Sequence, residues 1–317
     1  MLQLSVITLF LGQTRNRFLV YQDPADIDVA LDRAGAASGI GGVELRYPAD
    51  FADVPRLKAA LARNQLGVSA INFASVRNDR WIRGAWTAES AADRRDAVDD
   101  CRRALDLAKE LGANRITNCP LNDGFDYPFE LDYLAAFDHA VGCFEAVCAH
   151  APDVKICIEY KANEPRVRSL IASAGETIAF AEMVGAANLG ATLDTGHCFL
   201  CAENPALAAA MLARAGRLFY VHLNDNDGRG DWDLTPGTWH TWEFVELFYY
   251  LDRLGYDDWF AFDIVAKEHD PVAVFTDASA ITEQLRALAS KLDPADVRKQ
   301  LATRNPTATM SALNALL

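Results

Sequence analysis

Val154–Tyr160 (VKICIEY), Gly175–Val184 (GETIAFAEMV) and Leu189–Asp194 (LGATLD) read in order as strand, helix and strand. The two strands are short apolar runs, each closing on a carboxylate. The segment between them is longer and amphipathic. Two such strands joined by a helix make a unit whose sheet is parallel and covered by helices.

The same alternation extends in both directions. Upstream, strands are expected at Leu4–Leu9, Gly42–Arg46, Val68–Phe73 and Arg115–Cys119. Helices are expected at Ala25–Ala37, Asp53–Asn64, Ser90–Leu111 and Glu130–His150, with Asp53 as an N-cap and Gly112 as a helix stop. Downstream come strands at Leu218–Leu223 and Phe260–Val265, and helices at Ala206–Ala215, Trp242–Leu254 and Pro271–Leu292. Eight strands alternating with eight helices fit a closed (β/α)8 TIM barrel, which usually takes about 250 residues plus insertions. A doubly wound open sheet is the rival, but no glycine fingerprint follows the first strand. Gly39-Ile40-Gly41-Gly42 comes after a helix instead and reads as an αβ connection. Residues 1–292 are expected to form one barrel domain, and residues 293–317 a C-terminal arm or helix.

Composition narrows the function. The chain has 317 residues, 44 acidic and 30 basic, for a net charge of −14, and is 51% hydrophobic. Such an acidic globular chain is unsuited to binding nucleic acid, which needs a basic face. No apolar run approaches the roughly 18 residues of a membrane span. Seven cysteines, an odd number set mostly in apolar stretches, point to buried thiols in a reducing, cytoplasmic compartment.

In a barrel of this kind the chemistry sits at the C-terminal ends of the strands. Polar residues collect there: Glu44 and Arg46 on strand two, Asn72 on three, Asn118 on four, Glu159 and Lys161 on five. Asp194 ends strand six with His197 just beyond, His222 ends strand seven, and Asp263 ends strand eight. A carboxylate after an apolar run is costly unless it is paired, hydrogen-bonded or bound to a metal. Four successive strands ending in Glu159, Asp194, His222 and Asp263 form a hard-cation site suited to Mn²⁺, Mg²⁺ or Co²⁺. Glu44 is read as a substrate contact, a support for a ligand or a salt-bridge partner of Arg46. In the loop after strand seven, Asp231-Trp232-Asp233 can aim both carboxylates at one ion only if the backbone turns between them. With Asp194 and His197, these two would complete a second cation site.

Glu159-Tyr160-Lys161-Ala162-Asn163-Glu164-Pro165, Asp194-Thr195-Gly196-His197 and Asp231-Trp232-Asp233-Leu234 resemble motifs of xylose and L-rhamnose isomerases. The L-rhamnose version is closer because His222 stands at the end of strand seven. The superfamily of such barrels also contains sugar epimerases and enzymes that cleave C-glycosides. The resemblance covers strands five to eight; no histidine ends strands two to four, where these isomerases carry one that contacts the sugar ring. It implies an isomerase of an unphosphorylated sugar with one or two divalent ions. A metal ion held by Glu159, Asp194, His222 and Asp263 would chelate two sugar hydroxyls. Lys161 would stabilise the developing alkoxide while hydride shifts between C2 and C1. In the epimerase alternative, Glu159 and Asp263 face each other as bases around an enediolate. A lyase of oxidised glycosides, with a second subunit as a partner in that case, and a non-catalytic sugar-binding barrel complete the set. By analogy with relatives, a homo-oligomer is expected.

Further substrate contacts are expected from Glu44, Asn118, His197, Trp81, Trp86 and Trp232, the tryptophans (with Phe125 and Trp239) walling a sugar pocket from the loops. Arg77, Arg80 and Arg83 read as a solvated loop, and Cys198 and Cys201 as buried thiols on one short helix. The loop after strand eight offers only Lys267 and His269, which argues against a phosphate site there.

Overall fold

The computed structural model describes residues 1–16, 18–76, 81–165 and 167–316. Eight parallel strands close into a barrel: β1 (Gln3–Ile7), β2 (Ile40–Tyr47), β3 (Gly67–Phe73), β4 (Arg115–Asn118), β5 (Lys155–Glu159), β6 (Leu189–Asp194), β7 (Leu218–Leu223) and β8 (Trp259–Phe262). Each pairs with its sequence neighbours, and β8 closes on β1 through Leu4 opposite Phe260. The helices around it are α1 (Ile27–Ala36), α2 (Val54–Asn64), α3 (Ala91–Leu111), α4 (Tyr133–His150) and α5 (Ala174–Val184). After them come the short α6 (Thr195–Leu200), α7 (Pro205–Arg214), α8 (Thr241–Leu254) and α9 (Pro271–Ser290). The expected TIM barrel is present.

Local chemistry sets the helix ends. Asp53 accepts from the Arg56 amide as the N-cap of α2, and Gly112 ends α3 in the left-handed region at φ 73°. The glycine run at the start of β2 answers a packing demand. A Cβ on Gly42 would lie 2.7 Å from the Trp259 ring, so the indole closes the bottom of the barrel against bare backbone.

The chain departs from the sequence expectation in its short pieces. The first strand stops at Ile7, and Thr8–Leu11 continues as a 3-10 turn. Thr14–Asn16 pairs with Leu19–Tyr21 in the loop after β1. Gly124–Phe125, Asn163–Glu164 and Val167–Ser169 form a small sheet that ties the loop after β4 to that after β5. Pieces of two or three residues are too short to show a period. The tail forms two helices, α10 (Pro294–Thr303) and α11 (Pro306–Asn314), neither with a buried residue. No helix among the described residues is long and apolar enough to cross a membrane.

Much of the barrel interior is polar and internally satisfied. Thr117 and Thr192 share a hydrogen bond of 2.6 Å, and Ser69 and Tyr220 one of 2.9 Å. Below them Arg115, fully buried, lies over the Tyr220 ring, donates to the Phe219 carbonyl and forms a two-pronged pair with Asp258 at 2.6 Å. Replacing Arg115 with Met leaves the buried Phe219 carbonyl without its donor and the part-exposed Asp258 with only Lys155 as a cation, and is expected to cost about 2 kcal/mol of stability. Urea denaturation with both variants folded measures it; a loss under about 1 kcal/mol would show that packing, not the pair, holds the barrel bottom.

Candidate metal centre

The C-terminal mouth gathers the strand ends. Glu159 closes β5, Asp194 closes β6, His222 lies one residue before the end of β7, and Asp263 follows β8 directly. One donor atom from each of these four lies within 4.8 Å of the others. His222 Nδ1 is 3.5 Å from Glu159 Oε1, 3.7 Å from Asp194 Oδ2 and 3.7 Å from Asp263 Oδ2. The four residues expected to share one cation therefore do converge.

The tautomer of His222 is set from behind. Its Nε2 lies 2.8 Å from Glu44 Oε2, and the other Glu44 oxygen accepts from Asn72 Nδ2 at 2.8 Å. A carboxylate only accepts, so the Nε2 proton points at Glu44 and Nδ1 faces the three carboxylates. Nδ1 is buried with no hydrogen-bond partner. A lone pair aimed at three carboxylate oxygens calls for positive charge between them, and a carboxylate–histidine arrangement of this kind orients metal-ligating imidazoles. The donor set fits a hard divalent cation. Without one, protons take its place. Burial and then Asp194 push Asp263 well above the usual carboxylate range. Burial works against a charged His222, but Glu44 and Glu159 raise it well above the ordinary histidine value. Burial would also raise Glu159, yet His222 overcomes it and the carboxyl lies low.

A second group adjoins the first. Asp194 Oδ1 accepts from the His197 amide at 2.8 Å and so caps α6, which places His197 one turn on. A Cβ on Gly196 would meet Asn224 Oδ1 at 1.8 Å; the glycine makes room for Asn224, whose Nδ2 donates to Asp194 Oδ2 at 2.9 Å. His197 Nδ1 donates to the Tyr160 carbonyl at 3.0 Å, and Nε2 lies 3.3 Å from Asp231 Oδ2. The same Asp231 oxygen accepts from Lys161 Nζ at 2.6 Å, and Lys161 also pairs with Glu164. Burial opposes charge on His197, but Asp194 and Asp231 lift it to about 9.

The backbone turn needed between Asp231 and Asp233 exists: Asp233 has φ 50°, in the left-handed region that Asp tolerates better than most residues. Burial, then Asp231, Asp263 and Asp194, push its carboxyl well up. Asp225 anchors this loop. Its backbone pairs with Leu234, and its carboxylate accepts from the Trp239 and His240 amides and meets His240 Nδ1 at 2.7 Å. The His240 ring stacks on Phe199 of α6 at 3.7 Å, joining the Asp231 loop to the helix that carries His197. Neither Asp225 nor His240 had a role in the sequence reading; a buried acid just past a strand end was the available signal.

Several expected substrate contacts are overturned. Asn118 is fully used within the fold, accepting from Trp86 Nε1 and donating to the Phe73 carbonyl and Ser75 Oγ. Trp86 is buried between Phe73 and Phe144 with ring centroids at 5.7 and 4.9 Å, and Trp81 also sits in the core. The loop after β3 turns them inward because large apolar rings gain more from burial than from a wet rim. Glu44 supports His222 and does not face a substrate, and Arg46 pairs with Asp50 instead of Glu44. Trp232 is half exposed, folded over Gly230 with its indole N–H on Asp227. Phe125 packs on Tyr133, and Trp239 is exposed. Arg83 is exposed, and Arg77 and Arg80 lie outside the described residues. Cys198 meets the Tyr160 hydroxyl and Cys201 the Ala172 carbonyl, and all seven cysteines are free thiols.

A family profile described as xylose isomerase-like TIM barrel matches residues 33–291. The chain belongs to this family. A probable sugar isomerase of Mesorhizobium japonicum is 30% identical over 203 residues, covering 62% of this chain and 46% of the relative. The chain thus spans just under half the length of that relative. Among solved structures, an L-ribulose 3-epimerase superposes with a TM-score of 0.71 at 19% identity, covering 92% of this chain and 96% of that one. A 3-keto-D-glucoside 4-epimerase from E. coli gives 0.68 at 16% identity, over 90% and 100%. At these identities the likeness is one of fold.

The Glu44–His222 contact makes a direct prediction. Glu44→Ala should weaken Mn²⁺ binding about 10–100-fold, and Glu44→Gln, which keeps an acceptor, by less. Calorimetric titration decides it, and unchanged affinity in Glu44→Ala would remove Glu44 from the metal centre.

Proposed function

We propose that the chain is a divalent-metal-dependent isomerase that interconverts an unphosphorylated aldose and its ketose by a hydride shift between C1 and C2. Lys161 carries this reading. Burial alone would strip its proton, but Asp231, foremost among the charges around it, holds it well above the ordinary lysine range. It therefore donates and does not act as a base. A fixed ammonium beside the cation ligands suits negative charge developing on a sugar oxygen. Asp231 and Glu164 aim the ammonium, and the Tyr160 carbonyl and Asp231 fix the His197 ring beside it. Mn²⁺, Mg²⁺ or Co²⁺, held by Glu159, Asp194, His222 and Asp263, would act as a Lewis acid toward the sugar oxygens.

The name of the Mesorhizobium relative supports an isomerase. The scarcity of basic groups after β8 supports a sugar without phosphate. Free thiols support a reducing, cytoplasmic setting. Barrels paired through their helices into a homo-oligomer, with neither nucleic acid nor membrane as partner, belong to the same proposal.

One arrangement favours a second reading. Glu159 and Asp263 approach the same nitrogen of His222, at 3.5 and 3.7 Å, as two bases flanking an enediolate would in a 3-epimerase. An aldose deuterated at C2, incubated with Mn²⁺ and the protein, separates the two. Hydride transfer carries the label to C1 of the ketose. Wash-out of label to solvent, together with a C3 epimer formed from the ketose, would overturn the isomerase in favour of the epimerase. Lys161→Met is expected to lower kcat about 100–1,000-fold while bound Mn²⁺, measured by elemental analysis, stays the same.

A further inference from the structure

Cys119 follows β4 directly and takes no part in the chemistry described so far. Its Sγ, a carboxylate oxygen of Glu159 and a ring nitrogen of His197 all lie within 4.8 Å of one another. Glu159 and His197 are buried, and the thiol is partly exposed. Glu159 stands between this group and the four-residue one, its Oε1 3.5 Å from His222 Nδ1 and 3.8 Å from His197 Nδ1. The charges acting on the sulfur are mostly negative: Glu159, Asp194 and Asp231 against Lys161. Burial and these carboxylates together hold the thiol well above its ordinary pKa, so without a cation it is a protonated and unreactive group.

We propose that Cys119, Glu159 and His197 form a second cation site, bridged to the first through Glu159, that takes a thiophilic divalent ion such as Zn²⁺ or Co²⁺. One sulfur, one oxygen and one nitrogen donor leave a fourth tetrahedral position open, the usual make-up of a zinc site that keeps a place for water or substrate. Mg²⁺ demands oxygen donors in an octahedral array and gains little from sulfur. An all-oxygen second site built on Asp231 would have to pull that carboxylate off Lys161; the sulfur set leaves the ion pair intact. On binding, the Cys119 S–H bond and one ring N–H bond of His197 break, both protons leave to solvent, and the sulfur and nitrogen electron pairs go to the ion with no change in oxidation state, the ring giving up its hydrogen bond to the Tyr160 carbonyl. The site stands whichever sugar reaction the barrel catalyses.

Titrating the full-length, chelator-treated protein with Co²⁺ tests it. A thiolate-to-Co²⁺ charge-transfer band in the near ultraviolet should grow in the wild type and be absent in Cys119→Ser. That variant should lose more than about tenfold in Zn²⁺ affinity and change by less than about threefold for Mn²⁺; retained Mn²⁺ binding shows that it folds. Co²⁺ uptake with no such band in the wild type, a band that survives in Cys119→Ser, or no Co²⁺ uptake at all would each overturn the proposal. Should Cys119→Ser not fold, the wild type suffices. Zn²⁺ added to the Co²⁺-loaded wild type should remove the charge-transfer band and Mg²⁺ should leave it, and equal effects of the two ions would overturn the proposal.

Discussion

Mutual repulsion among buried carboxylates at one end of the barrel is the constraint on which the rest depends. Glu159, Asp194 and Asp263 approach one nitrogen of His222, with Glu44 on the other side of the ring and Asp233 repelled by Asp263 and Asp194. Removing such charges from water costs several kcal/mol each unless something positive or hydrogen-bonding replaces the water. The surroundings supply that compensation in a fixed order. Asn72 and His222 occupy Glu44, and Asn224 and the His197 amide occupy Asp194. The oxygens of Glu159, Asp194 and Asp263 that face His222 Nδ1 mark the place where a cation fits.

That concentration of charge is tolerable because the layers beneath it are rigid and satisfied. The threonine pair across β4 and β6, the Ser69–Tyr220 contact and the Arg115–Asp258 pair stack downward from the mouth. Strand ends that cannot shift hold their side chains in place without loop contacts. The second group is held differently: Asp231 and Asp233 sit on a long connection that depends on Asp225, the His240–Phe199 stack and one left-handed residue. The first group is thus built on the sheet and the second on a braced loop. This explains how the second can be arranged around Lys161 and His197 without disturbing the first.

The same distinction decides what could be read in the sequence. Strand alternation is a period-two signal, and a polar residue ending an apolar run faces the mouth almost by necessity. Glu159, Asp194, His222 and Asp263 were legible for that reason, as was the turn required within Asp231-Trp232-Asp233. Glu44 was visible as a strand-end acid, but its partner lies across the barrel on β7, and no local pattern shows that contact. That Trp81 and Trp86 turn inward was not legible, because a loop's place in the chain does not say which way it folds, and Asn118, though at a strand end, is taken up by Trp86 and the loop after β3. Cys119 carried no signal: an isolated thiol one residue past a strand looks like core packing until Glu159 and His197 arrive from β5 and α6.

The two groups also differ in how they are neutralised, and this orders their affinity for cations. In the second, Asp231 already contacts Lys161 and His197, so an incoming ion competes with an ammonium and an imidazolium held at short range. In the first, three carboxylates share a single imidazole, and burial together with the neighbouring carboxylates raises Asp194 and Asp263 above the ordinary carboxylate value. A divalent ion there relieves that repulsion without displacing a side chain. Displacing Lys161 would require moving a whole side chain out of a buried ion pair. Glu159 belongs to the first group and borders the second. Filling the first group therefore ties down the one carboxylate through which an ion there affects its neighbour, and it does so before any sugar arrives.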